Sequence, residues 1–393
     1  MKSQMKNDKR LAMQFVSLVV LAVLPISMIA VNGARAFYGI LAEPSGGNRD
    51  TGDSMHEDEG TDTIALDLRA APSGPSADTI SAEANAEGED SLIFGVYDPD
   101  GEFERDRSLR LRHVYVSWAD FDRSKLRQSL VAMENRGFQI LLTIEPWPIA
   151  GRGDDLLASI LAGGYDETLN DLARILDSLN GPVYVSWGHE MDQDLTERYP
   201  WSGSDPDRFV GAYQHVVNFL RRHANTELRF IWAGVLKEGS LRYWPGNEYA
   251  DYVGMPVYSY PRWDQKTYGF IRDFRTTFEE KAKVVEELDV PLLITELGVS
   301  GSSDFEAFWL HQAFMGLRDY ESLKGIVFFY AQDVEGAWGS DIATPDWRVH
   351  PDSIRGLVEW ELRQAASLDA RGQNHQSFEA SAQLDQNASP PVE

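Results

Sequence analysis

The sequence predicts an α/β chain whose central part is a (β/α)8 TIM barrel forming a single domain. Eight apolar runs of strand length alternate with helical patterns, as a closed parallel sheet with helical crossovers requires. Carboxylates and indoles stand at the carboxyl ends of those runs, where barrels carry their sites. No glycine-rich phosphate turn follows the first run, which disfavours the runner-up, an open doubly wound sheet.

The expected strands are Leu92–Tyr97, Leu111–Trp118, Phe138–Glu145, Val183–Trp187, Leu228–Gly234, Tyr252–Tyr258, Leu292–Glu296 and Gly325–Tyr330. Helices fall between most of them. Lys125–Arg136 stops at Gly137, a suitable residue for the left-handed turn that ends a helix. Asp166 is expected to cap a stretch with Leu169, Leu172, Ile175, Leu176 and Leu179 on one face. Asp205-Pro206 is a start signal, and Phe209, Tyr213, Val216, Val217 and Leu220 then keep helical spacing. Ile271–Leu288 and Phe305–Leu317 repeat the pattern, whereas a loop with Tyr243-Trp244-Pro245-Gly246 replaces the helix after the fifth strand.

Outside this region, 91–367, the composition changes. Lys2, Lys6, Lys9 and Arg10 precede an apolar run of roughly 21 residues, Leu11 to Val31, followed by Ala34-Arg35-Ala36. Residues 1–36 therefore read as an export signal, or as an uncleaved anchor, since the run is long enough to span a bilayer. Either way the remainder is expected outside the cytoplasm, periplasmic or secreted. Residues 37–90 read as a disordered acidic linker: between Glu43 and Asp90 thirteen acidic residues face two basic ones, with almost no aromatics to offset the ordering entropy. The tail 368–393, rich in Gln, Asn, Ser and Ala, reads as disordered too.

With 36 basic against 62 acidic residues the formal charge is −26, which argues against a nucleic-acid partner and suits a neutral polysaccharide. The chain has no cysteine, so neither disulfides nor thiolate metal sites are possible. The strand ends supply Asp98, Trp118 and Asp120, Glu145 and Trp147, His189 and Glu190, Trp232, Tyr258 and Tyr260, Glu296, and then Gln332, Asp333 and Trp338. Sugars offer hydroxyls to carboxylates and flat C–H faces to indoles, so this rim matches a carbohydrate groove. Glu190 and Glu296, at the ends of strands four and seven, can share one pocket, the minimum equipment for cleaving a glycosidic bond. A strand-end carboxylate alone is more often a helix cap, and each tryptophan is as readily core packing as a sugar platform. His189, Glu190, Asp192 and Asp194 match no metal-ligand spacing, and neither metal nor organic cofactor is expected.

Several of these motifs together resemble glycoside hydrolase family 26, retaining glycosidases built on (β/α)8 barrels. Its histidine-glutamate-methionine-asparagine run on strand four and following tyrosine-proline-tryptophan element are similar to His189-Glu190-Met191-Asp192 and Tyr199-Pro200-Trp201. Its helix opening with proline and phenylalanine resembles Pro206 and Phe209. Its element before strand six resembles Trp244-Pro245-Gly246 and Asp251-Tyr252-Val253-Gly254, and its strand-seven glutamate-x-glycine resembles Glu296-Leu297-Gly298. The resemblance covers about residues 92–365. It implies Glu190 as general acid/base, Glu296 as nucleophile, His189 as an orienting residue near Glu296 and the sugar, and Tyr258 as the hydroxyl that holds Glu296. Trp147, Trp201, Trp232 and Trp338 would be stacking platforms, with Glu145 and Asp98 as further sugar contacts.

Departures bear on substrate. Ser186 stands where many mannan-cleaving members carry arginine, Pro256 where an acidic residue is frequent, Asp192 for the asparagine, and Gln193 to Arg198 are extra. The resemblance thus implies an exported endo-β-glycanase with β-1,4-mannan as default, and mixed-linkage β-glucan or β-1,3-xylan as alternatives within the family. A carbohydrate-binding barrel without turnover, and an enzyme trimming a nascent exopolysaccharide at the membrane, are the competing readings.

Overall fold

The computed structural model describes residues 92–193 and 198–367. The segments read as signal or anchor, acidic linker and tail lie outside the described residues. Eight parallel strands close in sequence order into one barrel, as expected. They are β1 Ile93–Tyr97, β2 Leu111–Ser117, β3 Gln139–Glu145, β4 Val183–Trp187, β5 Leu228–Ala233, β6 Tyr252–Ser259, β7 Leu292–Val299 and β8 Leu323–Phe329. Closure is made by β1 pairing with β8 from Ile93 opposite Gly325 to Tyr97 opposite Phe329. Alternate side chains fill the inside: Leu111, Leu141, Tyr184, Ile231, Ala233, Leu293 and Val327 form one buried cluster there.

The helices are α1 Arg123–Asn135, α2 Leu156–Leu161, α3 Asp166–Leu176, α4 Pro206–His223, α5 Pro261–Tyr268, α6 Phe274–Val285, α7 Ser303–Gly316 and α8 over 351–367. Side chains of Asp122, Asp155, Asp205, Asp273 and Ser302 accept backbone N–H groups at five of their starts. Asp166 differs from its expected role. Tyr165 takes the cap position, and Asp166 opens α3 with its carboxylate 2.7 Å from His215 Nε2. Helices α2, α5 and α8 were not anticipated. The first two are only six and eight residues long, too short to display helical periodicity.

No α-helix joins β1 to β2 or β5 to β6 among the described residues. The first of these connections is a turn plugged by Phe103, which is fully buried against Tyr330 and beneath the Arg355 guanidinium of α8. After β5 the chain makes a short 3-10 turn, Ser240–Tyr243, as the loop expectation requires.

Candidate active site

Strand alternation decides what reaches the mouth. On β2, Leu111 belongs to the interior cluster, so His113 and Tyr115 follow it upward on the inside. On β7 the alternation is broken. Met255 pairs with Ile294 but Pro256 pairs with Glu296, leaving Thr295 as an extra residue. This bulge turns two consecutive side chains inward: the Thr295 methyl lies beside Gly254 among Ile231 and Ala233, and Glu296 meets the residues above. Tyr115 Oη donates to Glu296 Oε1 at 2.6 Å, and Tyr258 Oη donates to Oε2 at 2.7 Å. Each oxygen of Glu296 thus holds a tyrosine hydroxyl. Gly298 makes room for this arrangement, because a Cβ there would sit 2.5 Å from the Tyr258 ring. Sequence reasoning found Tyr258 but missed Tyr115. Its signal was available in the period-two pattern Leu111, His113, Tyr115, which an apolar run tends to hide.

Glu190 leaves β4 through a sharp turn. Gly188 and Glu190 both have positive φ, 61° and 54°, and the latter is uncommon for a residue with a side chain. The turn is held from three sides. Glu190 N–H donates to Ala233 O at 2.9 Å, Trp201 Nε1 to His189 O at 2.8 Å, and Ser202 Oγ to Glu190 O at 2.8 Å. The Tyr199-Pro200-Trp201 element therefore works largely as a buttress. Gln193 Nε2 donates to Glu190 Oε2 at 2.7 Å. Asp192 accepts the N–H groups of Val235 and Leu236 at 2.9 Å, fixing the loop after β5.

The electrostatics separate the two glutamates. Burial, with repulsion from Glu296 and Asp192, outweighs Arg198 and Lys281 and raises the Glu190 carboxyl to about 7. Glu296 is also raised by burial, but both tyrosine hydroxyls and Arg198 pull it back. Burial and the Glu296 charge push Tyr115 and Tyr258 far above the usual phenol range, so both remain donors. His189 is lowered to about 3 by burial and by Arg198, and is a neutral ring set edge-on to Tyr115 and Tyr199. Arg198, a second residue the sequence did not single out, is held protonated because Tyr199, Glu190 and Asp333 outweigh its burial. Among the described residues no three His, Asp or Glu side chains converge as a metal cage.

The other expected contacts divide. Glu145 stands in the mouth, raised by burial, and accepts Trp147 Nε1 at 3.1 Å. Trp147 is half-buried at the rim, its carbonyl held by Trp118 Nε1 at 2.8 Å. Trp338 is half-buried on the opposite side, edge-on to Tyr258 with its Nε1 2.7 Å from Asp333 Oδ2. Three expectations fail. Trp232 faces outward, because its neighbours Ile231 and Ala233 face in, and lies fully buried against Trp244. Trp201 is fully buried with Tyr199 stacked over it at 4.8 Å, leaving no face for a sugar. Both oxygens of Asp98 are engaged by the turn after β1, through Gly101 N at 3.0 Å and Phe103 N at 2.7 Å.

No family model matches the chain. One stretch is 24% identical over 107 residues to a β-1,3-xylanase of a Vibrio species, covering 26% of this chain and 22% of that protein. A β-1,3-xylanase of an Alcaligenes species is 24% identical over 109 residues, with the same coverages of 26% and 22%. The matched part thus spans about a fifth of the length of these relatives. Among solved structures, an endo-β-1,4-mannanase double mutant from Cellulomonas fimi aligns with a TM-score of 0.51 at 14% identity, covering 72% of this chain and 74% of its own. GH26C from a Muricauda species gives 0.48 at 18% identity, with coverages of 62% and 79%. The fold shared with the first is the (β/α)8 barrel described above.

Proposed function

We propose that the chain is a retaining glycoside hydrolase of the family 26 kind that cleaves a neutral β-linked polysaccharide internally. One observation carries the reading: at a single barrel mouth, one carboxylate is locked by two tyrosine hydroxyls beside another held near neutrality. That division suits double displacement. Glu296 attacks the anomeric carbon while Glu190 gives its proton to the departing glycosidic oxygen. The glycosyl ester then formed neutralises Glu296, so the pKa of Glu190 falls and it can take a proton from water. The water oxygen attacks the anomeric carbon and frees Glu296. Neutral His189, Glu145 and the rim indoles Trp147 and Trp338 would bind the sugar, with no cofactor involved.

The N-terminal basic and apolar sequence supports export, with the barrel released or held at the membrane. The first test changes Glu296→Gln and Glu190→Gln and assays β-1,4-mannan, mixed-linkage β-glucan and β-1,3-xylan. Wild-type turnover by the Glu296 variant, or inversion at the anomeric centre seen by NMR of early product, would end the mechanism. Binding without any reducing-sugar release would favour a non-catalytic barrel.

A second substrate reading has its own support. Ser186 follows Tyr184 on the inner face of β4, and Pro256 pairs with Glu296 on the inner side of β6. Those two positions therefore lack the arginine and the acid that the resemblance would place there in mannan-cleaving members. Both named relatives are β-1,3-xylanases. Preference for β-1,3-xylan over mannan in the same panel would select this reading over the mannan default.

A further inference from the structure

From Tyr258 beside Glu296 a series of aromatic rings leads away from the mouth. Trp338 lies 5.7 Å from Tyr258, Trp263 5.2 Å from Trp338, Tyr268 5.4 Å from Trp263 and Phe270 6.4 Å from Tyr268, centroid to centroid. The series ends on a ledge of three large side chains in open solvent: Tyr268, Phe270 and Ile271 are 42%, 53% and 46% exposed. Such residues scattered singly need no explanation, but three together on one turn form an apolar patch.

The ledge is held rigidly. Gly269 ends α5 in the left-handed conformation, and Arg272 folds back beneath, its guanidinium 4.0 Å from the Tyr268 ring centroid. Arg272 is itself locked to the fully buried Asp264 through Nε and Nη2, at 3.2 and 3.1 Å. Burying an ion pair costs desolvation, so it is weak as a source of stability, but its two bonds hold the Arg272 side chain in one position. The loop after β8, which carries Trp338, is tied to the same unit by Lys266–Asp341 at 2.7 Å and by Tyr260 Oη to Ala343 O at 2.8 Å. A preorganised aromatic surface continuous with the mouth is what a further stretch of sugar chain needs, since ordering it on binding would consume affinity. The ring series that joins the ledge to the mouth favours a sugar chain over the other usual occupants of an apolar ledge, a membrane surface or a second copy of the chain.

We propose that Tyr268, Phe270 and Ile271 form a distal subsite that grips polysaccharide beyond the units held at the mouth, reached along Trp338 and Trp263. It rests on the glycanase reading and adds a segment of substrate that the two glutamates never touch. The test uses the full chain with Phe270→Ala, Tyr268→Ala and Phe270→Trp. The panel polymer that is cleaved is compared with a short aryl glycoside of the same sugar, and retention in native gels holding that polymer is measured in a Glu296→Gln background, without turnover. Each alanine change is expected to lower the polymer-to-short-substrate ratio of kcat/KM, and gel retention, by about three- to ten-fold, the range of one aromatic contact. The Phe270→Trp variant should keep both near the values of the unchanged chain. Unchanged ratio and retention in an active enzyme would overturn the subsite alone, as would a dimer that Phe270→Ala converts to monomer. Absence of both cleavage and retention across the panel would overturn the glycanase reading itself, a distinguishable result.

Discussion

Replacing Glu190 by Gln should stabilise the barrel, and more so as the pH rises. The side chain keeps its size, and the amide oxygen can still accept from Gln193 Nε2 as the carboxyl does. Glutamine mimics the protonated acid, so the difference between the two proteins reports the free energy of ionising Glu190 in the folded state. Its pKa is raised from 4.5 to about 7, chiefly by burial. A raised folded value means that the stability contributed by the bound proton is complete below pH 4.5 and is lost as the pH climbs through about 7. At about 1.36 kcal/mol per unit this amounts to about 3 kcal/mol. Glu190 retains some solvent contact, and screening reduces the expectation to about 2 kcal/mol. Urea denaturation followed by tryptophan fluorescence at pH 5 and pH 8 gives the stability difference at each pH. Constant offsets, such as a changed hydrogen bond with Gln193, cancel in the comparison. For a domain of this size about 2 kcal/mol corresponds to a melting shift of roughly 3–4 °C. A pH-independent difference, or a variant that loses relative stability at pH 8, would refute the account of Glu190 as a carboxyl held protonated by its surroundings.

Tyr115→Phe removes one of the two hydroxyls on Glu296, a bond to a charged group worth about 1.5–3 kcal/mol. Turnover should fall roughly ten- to hundred-fold by the same range, and the acid limb of the pH–rate profile should move upward. An unmoved limb would mean that Tyr258 alone sets the state of Glu296. Gly298→Ala drives a methyl to within 2.5 Å of the Tyr258 ring. A loss of about 1–3 kcal/mol in chemical denaturation is expected, with turnover reduced beyond what the remaining folded fraction explains. Trp232→Ala should cost about 3–5 kcal/mol of stability as an outward core residue, whereas Trp338→Ala should act mainly on KM; the reverse pattern would contradict the facing of β5. On the proposed mechanism the alkaline limb of turnover should fall near pH 7, because Glu190 would have to carry its proton to act as acid.

Much of the architecture was legible because strands and helices of ordinary length announce themselves by period. Val183–Trp187 has the expected bounds, and Asp205-Pro206 opens α4 with its cap and first-turn proline. The misses have specific physical origins. Helices α2 and α5 are shorter than the windows in which periodicity is visible. Asp166 stands one residue inside the helix, after Tyr165, and its carboxylate meets His215 of another helix, a contact across 49 positions that no local pattern shows. Glu190 and Glu296 stand out in the sequence because each ends an apolar run beside a distinctive neighbour. Trp232 was misjudged because a strand-end position says nothing about facing unless the register is known.

What the chain determines locally, then, is which segments become strands, where helices begin and which chemical groups stand at strand ends. These follow from side-chain spacing and backbone preference over a few residues. Only the closed barrel decides which of those groups converge. Tyr115 reaches Glu296 across 181 positions of sequence, and the bulge at Thr295 that turns Glu296 inward exists only in pairing with β6 and β8. Facing and convergence depend on register between strands that are distant in the chain, and register is fixed by interior packing rather than by any one segment's composition.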